Sequence, residues 1–162
     1  MQEEVIAVVG ASAPRRWFGI LVMGALGGLL IYLGLSTAPA LQWQVFLIGL
    51  GLVALWLTDA TRKATEFQIE LTMEELRSSS GEVIATLDQI AQVERGTFAF
   101  KPSNGFLIRL KEPRSRRWQP GLWWCLGRRI GIGGVTAGSQ SKAMAQILQV
   151  VLHEKNQDDQ AS

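Results

Sequence analysis

Two residue types that carry much of metal and nucleophile chemistry are nearly missing. The chain has one cysteine, Cys125, and one histidine, His153, in 162 residues. One cysteine cannot close an intrachain disulfide, so a disulfide-stapled secreted domain is excluded. With one Cys and one His, a zinc site would depend on several carboxylates, and no spacing of Asp and Glu provides them; no metal and no cofactor is expected. A catalytic serine or cysteine needs a base within reach. His153 falls at the end of the last predicted helix, where its cationic form would complement the helix dipole. Cys125, between Trp124 and Leu126, reads as a small buried hydrophobe. The glycines of Gly131-Ile132-Gly133-Gly134 do not continue into a nucleotide loop. A dinucleotide fingerprint would need glycine at position 136, which is Thr136, and a phosphate loop would need lysine at 139, which is Ser139. The Glu74-Glu75 pair falls in a predicted turn. No catalytic residue is assigned and the chain reads as a non-enzyme. An unrecognised membrane-associated enzyme, such as a hydrolase working with carboxylates alone, is the second alternative.

Charge is missing too, but only locally. From Trp17 to Leu57 there is no Asp, Glu, Lys or Arg. Two apolar runs fill that stretch. Trp17 to Leu35 would span roughly 28 Å as a helix, close to the hydrocarbon thickness of a bilayer. Leu41 to Leu57 has a similar reach if slightly tilted. Ser36-Thr37-Ala38-Pro39-Ala40 separates them, and its proline and small residues permit a tight reversal. Neither run shows the polar stripe of a helix that covers a soluble core. The reading is a two-helix transmembrane hairpin over 17–58, preceded by a cytoplasmic segment over 1–16. No ionisable group lies within the spans, which argues against transport chemistry.

The flanks set the orientation. Arg15 and Arg16 precede the first span, Arg62 and Lys63 follow the second, and the connecting loop is uncharged. Basic residues are retained inside, so both termini are expected on the cytoplasmic side of a bacterial inner membrane. Trp17 and Trp56 then mark the inner interface, and Tyr32 and Trp43 the outer one. A rival reading takes Arg15-Arg16-Trp17-Phe18 as a twin-arginine signal cleaved near Ala38-Pro39-Ala40. The length of the run and the second span that follows at once favour the hairpin. Gly24 and Gly28 form a G-x-x-x-G pair that lets helices approach closely. It is expected to pack against the second span, with homo-oligomerisation as the sharper reading.

Residues 65–155 have the size of a small domain. Glu66 to Leu71 alternates polar and apolar with period two, as a half-buried strand does. Glu75-Leu76-Arg77 and Glu82 to Ala85 flank a turn at Ser79-Ser80-Gly81. Ile90 to Phe100 reads as a strand. Lys101 to Gly105 reads as a turn in which Asn104-Gly105 favours positive φ, and Phe106 to Leu110 follows as a strand. Glu112 to Arg117 reads as a loop before one or two further strands between Trp118 and Gly134, with Gly131, Gly133 and Gly134 ending the sheet. Ser139 is a candidate cap for a helix over 140–154, whose apolar face is Met144, Ile147, Leu148, Val151 and Leu152. Residues 156–162 read as a disordered tail. The fold class is thus an α+β membrane protein: a helical hairpin, then a small antiparallel β-barrel or sandwich of six or seven strands closed by an amphipathic helix.

The segments LTMEELRSSSGEVIATLDQI, KPSNGFLIRL and GRRIGIGG, together with the terminal helix, resemble bacterial two-span membrane proteins with a pleckstrin-homology-like cytoplasmic domain. The similarity covers roughly residues 65 to 155. It implies a binding or scaffolding module and supplies no catalytic residues.

Charge within the domain is divided by sequence. Residues 66–94 hold Glu66, Glu70, Glu74, Glu75, Glu82, Asp88 and Glu94 against Arg77 alone. Residues 95–129 hold Arg95, Lys101, Arg109, Lys111, Arg114, Arg116, Arg117, Arg128 and Arg129 against Glu112 alone. The leading function is a membrane-anchored, non-catalytic interaction or assembly module with a membrane or cytoplasmic protein partner. The alternative is a sensor of anionic lipid or a small anion, using Lys111, Arg114, Arg116, Arg117, Arg128 and Arg129, with Trp118, Trp123 and Trp124 beside them. The bland account pairs acidic with basic strands and leaves the tryptophans in the core. No recognition motif points to nucleic acid.

Overall fold

The computed structural model describes residues 4–94 and 102–161. Strand β1 (Ala7–Val9) comes first, followed by helices α1 (Ala13–Ser36) and α2 (Leu41–Ala64). Pro14 stands in the first turn of α1, where its missing N–H costs no helical bond. At the far end Ser36 and Thr37 donate their hydroxyls back to the carbonyls of Tyr32 and Leu33, and Ala38 takes a φ of 40° before Pro39 to reverse the chain.

The two helices meet through glycine. A side chain on Gly51 would lie 2.6 Å from Ile31 Cγ1 and 2.8 Å from the Gly27 carbonyl oxygen, and one on Gly34 would lie 3.0 Å from Ile48 Cγ1. The close contact is therefore made by Gly27, Gly34 and Gly51. This corrects the expectation for Gly28, whereas Gly24 does face the second helix. A Gly24 side chain would only touch Thr58 at 3.6 Å, and one at Gly28 would meet nothing. Gly27 and Gly34, one heptad apart, share the seam; Gly28 is turned away from it. Elsewhere the helices are bare. Only Gly27 and Gly34 of α1 and Gly51 and Ala64 of α2 are buried, while Leu21, Leu29, Leu41, Val45, Phe46 and Leu52 are exposed. Both helices are long and apolar enough to cross a membrane.

Strands β2 (Ile69–Leu71), β3 (Glu75–Ser78) and β4 (Val83–Thr86) follow, then a 3₁₀ turn at Leu87–Gln89 and strands β5 (Ile90–Glu94), β6 (Phe106–Gln119) and β7 (Trp123–Ile132). They form two antiparallel sheets, of order β1-β2-β3-β4 and β5-β6-β7. Among the described residues no ladder joins the two sheets into a closed barrel. Helix α3 (Gly138–Ala161) is the last of the described elements. Inward-facing Val9, Ile69, Leu71, Leu76, Phe106, Ile108, Trp123 and Ile130 from both sheets form one core with Met144, Leu148 and Leu152 of α3. Met144 and Leu148, both fully buried, stabilise the docking of α3 by about 1.5–3 kcal/mol each, and Leu152, at the edge of the core, adds somewhat less.

Several boundaries differ from the sequence reading. The expected strand over Ile90 to Phe100 is described only to Glu94, and Arg95, Phe100 and Lys101 lie outside the described residues. The expected loop at Glu112 to Arg117 is the middle of β6, which stays paired to β7 through Arg114↔Gly127 and Arg117↔Cys125, with register shifts around Arg114. Such bulges let a strand carry a proline and turn its charges outward. Helix α3 begins at Gly138 rather than after Ser139 and continues through residues 156–161, so the expected tail is helical and His153 lies two turns before its end. Residues 7–9, left outside the domain by the sequence reading, are an edge strand whose Val9 pairs with Ile69 and is fully buried.

Candidate functional site

The hairpin is inserted between two paired strands, and its root is fastened to the β domain. The register Val9↔Ile69 makes β1 and β2 neighbours, so the chain leaves one strand for α1 and returns from α2 into the next. After β1 the backbone stays bound: Ser12 N donates to the Val135 carbonyl at 2.7 Å, Ala137 N donates to the Gly10 carbonyl at 3.2 Å, and Gly10 N donates to Gln140 Oε1 at 3.1 Å. The flanking arginines join this seam. Arg15 Nη1 donates to the Thr136 carbonyl at 3.1 Å, and Arg16 Nη2 donates to the Arg62 carbonyl at 3.2 Å and lies 3.7 Å from Glu66 Oε1. Lys63 Nζ is 2.6 Å from Asp59 Oδ2 on the same face of α2.

The turn joining β6 to β7 reaches the same root. A side chain on Gly121 would lie 3.2–3.4 Å from methyl groups of Val135, Thr65 and Thr61. The Gly133 and Val135 amides donate to the Leu122 and Gly121 carbonyls, so the long β6–β7 ribbon curls until its tip meets its own base. Trp118 lies three residues before that tip and is more than half exposed. Its cross-strand partner Trp124 shares its face, as does exposed Leu126 two residues on.

The six basic residues singled out in the sequence do not form one surface. Arg114 donates to the Ile84 carbonyl and Arg117 pairs with Glu82, whose other oxygen accepts from Gln119 Nε2 at 3.2 Å. These side chains bridge the edge of β4 to the distal half of β6, where no backbone ladder forms. Lys111 stands near Asp88. The Asp88 carboxyl is held below the ordinary aspartate range, first by a hydrogen bond from Lys155 and also by the charges of Lys155 and Lys111. Arg116, Arg128 and Arg129 are exposed and make no hydrogen bond or ion pair among the described residues. Arg109 lies 3.9 Å from Glu94. Of the tryptophans, Trp123 is in the core, the ring of Trp124 fills the space over Gly131, and Trp17, Trp43 and Trp56 are exposed on the apolar hairpin. Burial pushes the Cys125 thiol up, against the pull of Arg114 and Arg117.

The sequence reading missed β1 and the seam role of Glu82 and Gln119. Ala7-Val8-Val9 is too short and too uniformly apolar to show a period, and no local signal ties Glu82 to a strand 35 residues away. A cleft of about 410 Å³ lies between Asn104–Phe106 and the start of α3; its one ionisable lining residue is Lys142. Among the described residues no three of His, Cys, Asp and Glu stand close enough to hold a metal ion. Comparison with family models, curated proteins and solved structures gave no match.

Proposed function

We propose that the protein is a membrane-anchored, non-catalytic interaction module that presents its β domain in a fixed pose at the cytoplasmic face of a bacterial inner membrane. The observation that carries this reading is the insertion of the hairpin between the paired strands β1 and β2. A domain on a flexible linker would sample many orientations. Here both helices enter the sheet directly and arginine bonds tie their inner ends to the domain. A rigid root is of use to a module that must offer one surface to a partner in the same membrane or beside it. Arg15, Arg16, Arg62 and Lys63 at the root, against an uncharged outer loop, support an orientation with both termini inside. A four-stranded meander, a three-stranded meander and a closing helix, in that order, support the pleckstrin-homology-like reading of the domain.

The test is in-cell crosslinking of the full chain, followed by carbonate washing of membranes and purification in mild detergent. The chain is expected to stay in the washed membrane and to yield a discrete crosslinked heteromer. Release by carbonate would overturn the anchor. Recovery of the chain alone, with and without crosslinker and in every detergent tried, would overturn the interaction role.

A further inference from the structure

We infer that the exposed face of the β6–β7 ribbon, carrying Trp118, Leu126 and Arg116, is a second membrane contact that lies on the anionic lipid surface beside the hairpin. The inference rests on the anchor proposed above and adds to it a contact that depends on lipid charge.

Position is the first support. Thr61 lies 20 residues beyond Leu41 along α2, about 30 Å of helix and one hydrocarbon thickness. The last turn of α2 is then at the lipid headgroups, and Gly121 at the ribbon tip packs against Thr61 and Thr65 of that turn. Trp118 stands three residues from the tip, within about 10 Å along the strand. The second support is chemistry. Trp118 and Leu126 are 56% and 52% exposed and lie close together on the two strands of one ribbon, a grouped apolar exposure rather than a scattered one. Tryptophan is the residue that a headgroup region favours. The third is charge. Arg116 is exposed and without a partner among the described residues, whereas Arg114 and Arg117 on the same ribbon are engaged at the edge of β4. A cation beside an exposed indole, next to a bilayer, complements anionic headgroups. It contributes roughly fivefold to the association of the face with an anionic leaflet, and the effect fades with salt.

The experiment uses the full chain in nanodiscs, with Cys125→Ala and Leu126→Cys and a nitroxide on the new cysteine. In nanodiscs containing phosphatidylglycerol the label is expected to become accessible to oxygen and protected from a water-soluble nickel relaxant. In phosphatidylcholine nanodiscs it is expected to stay water-exposed. Raising salt to about 0.5 M, where the screening length falls to several ångström, should reverse the contact in the anionic discs. Arg116→Gln should weaken it roughly fivefold, read as the fraction of buried label. A label equally water-exposed in both lipids would overturn the proposal and leave the face to a protein partner. A label equally buried in both, whatever the salt, would overturn the charge dependence. Failure of the anchor itself would show separately, as a chain that does not enter nanodiscs at all.

Discussion

At the scale of single residues, the structure turns two apparent surface features into packing constraints. Gly51 is where α2 touches α1, and any larger side chain must push against Ile31 and the Gly27 carbonyl. Overpacking of this kind costs about 1–3 kcal/mol. Gly51→Val is therefore expected to lower the thermal midpoint of the full chain in detergent. Gly28→Val, which meets open space, should stay within about 0.5 kcal/mol of the parent. The arginines of β6 divide in the same way. Ile84 is 3% exposed, and its carbonyl accepts from Arg114. Arg114→Met should cost about 1–3 kcal/mol by leaving that acceptor unpaired. The Arg117 and Glu82 side chains are 52% and 31% exposed, so Arg117→Met should cost under about 1 kcal/mol. Denaturant midpoints of the two variants, compared at equal slope, check the order. Equal losses would mean that the β4–β6 seam is held by general electrostatics rather than by the buried carbonyl.

At the scale of elements, α3 is held at two depths. Met144, Leu148 and Leu152 are buried in the core, and further along Lys155 reaches Asp88 at 2.6 Å. Because the Asp88 carboxyl is held below its ordinary range, its contribution is present at neutral pH and is lost as the pH falls through the folded value. Amide protection after Leu152 should fall as the pH drops below the ordinary aspartate value of about 4 and on through the lowered folded value, and Asp88→Asn should remove that pH dependence. A parent chain whose protection is flat over the same range would show that the apolar contacts alone hold the helix. The elements also show what the sequence could reveal. A charge-free run announced α1 and α2, and helical spacing from Met144 to Leu152 announced α3, because each signal is local and repeats over several turns. The turns at Ser79–Gly81 and before Phe106 were legible from glycine and asparagine. Strand β1 was not: three apolar residues carry no period, and their partner lies 60 residues on, across the hairpin. The middle of β6 was not either, since Pro113 and three arginines look like a loop until strands β7 and β4 are present to engage them. The anion site read from the basic run divided for that reason, because bulges and alternation along a strand send Arg114 and Arg117 to β4 and leave Arg116 unengaged.

At the scale of the whole molecule, the decisive fact is that the hairpin interrupts a pair of strands rather than preceding a domain. Gly10 and Gln68 lie at the ends of β1 and β2, and a side chain on Gly10 would already be 3.4 Å from Gln68 Cγ. The points where the chain departs and returns are thus close enough for a short turn to join them. Almost all of the hairpin's large apolar surface faces outward, and nothing from it enters the core formed by the two sheets and α3. Replacing residues 13–64 with a four-residue glycine–asparagine turn should therefore leave a water-soluble domain of about 110 residues, within the size that folds alone. Loss of the closing contacts from Arg15 and Arg16 should lower its stability by about 1–2 kcal/mol, since exposed and half-exposed bonds of this kind contribute modestly. In the same shortened chain Val9→Asp should abolish folding, because β1 would then place an unpaired carboxylate in the core. Circular dichroism and denaturant titration read both outcomes. A shortened chain that aggregates while the full chain folds in detergent would mean that the helices support the sheet, and that anchor and domain form one folding unit instead of an insertion in a self-sufficient one.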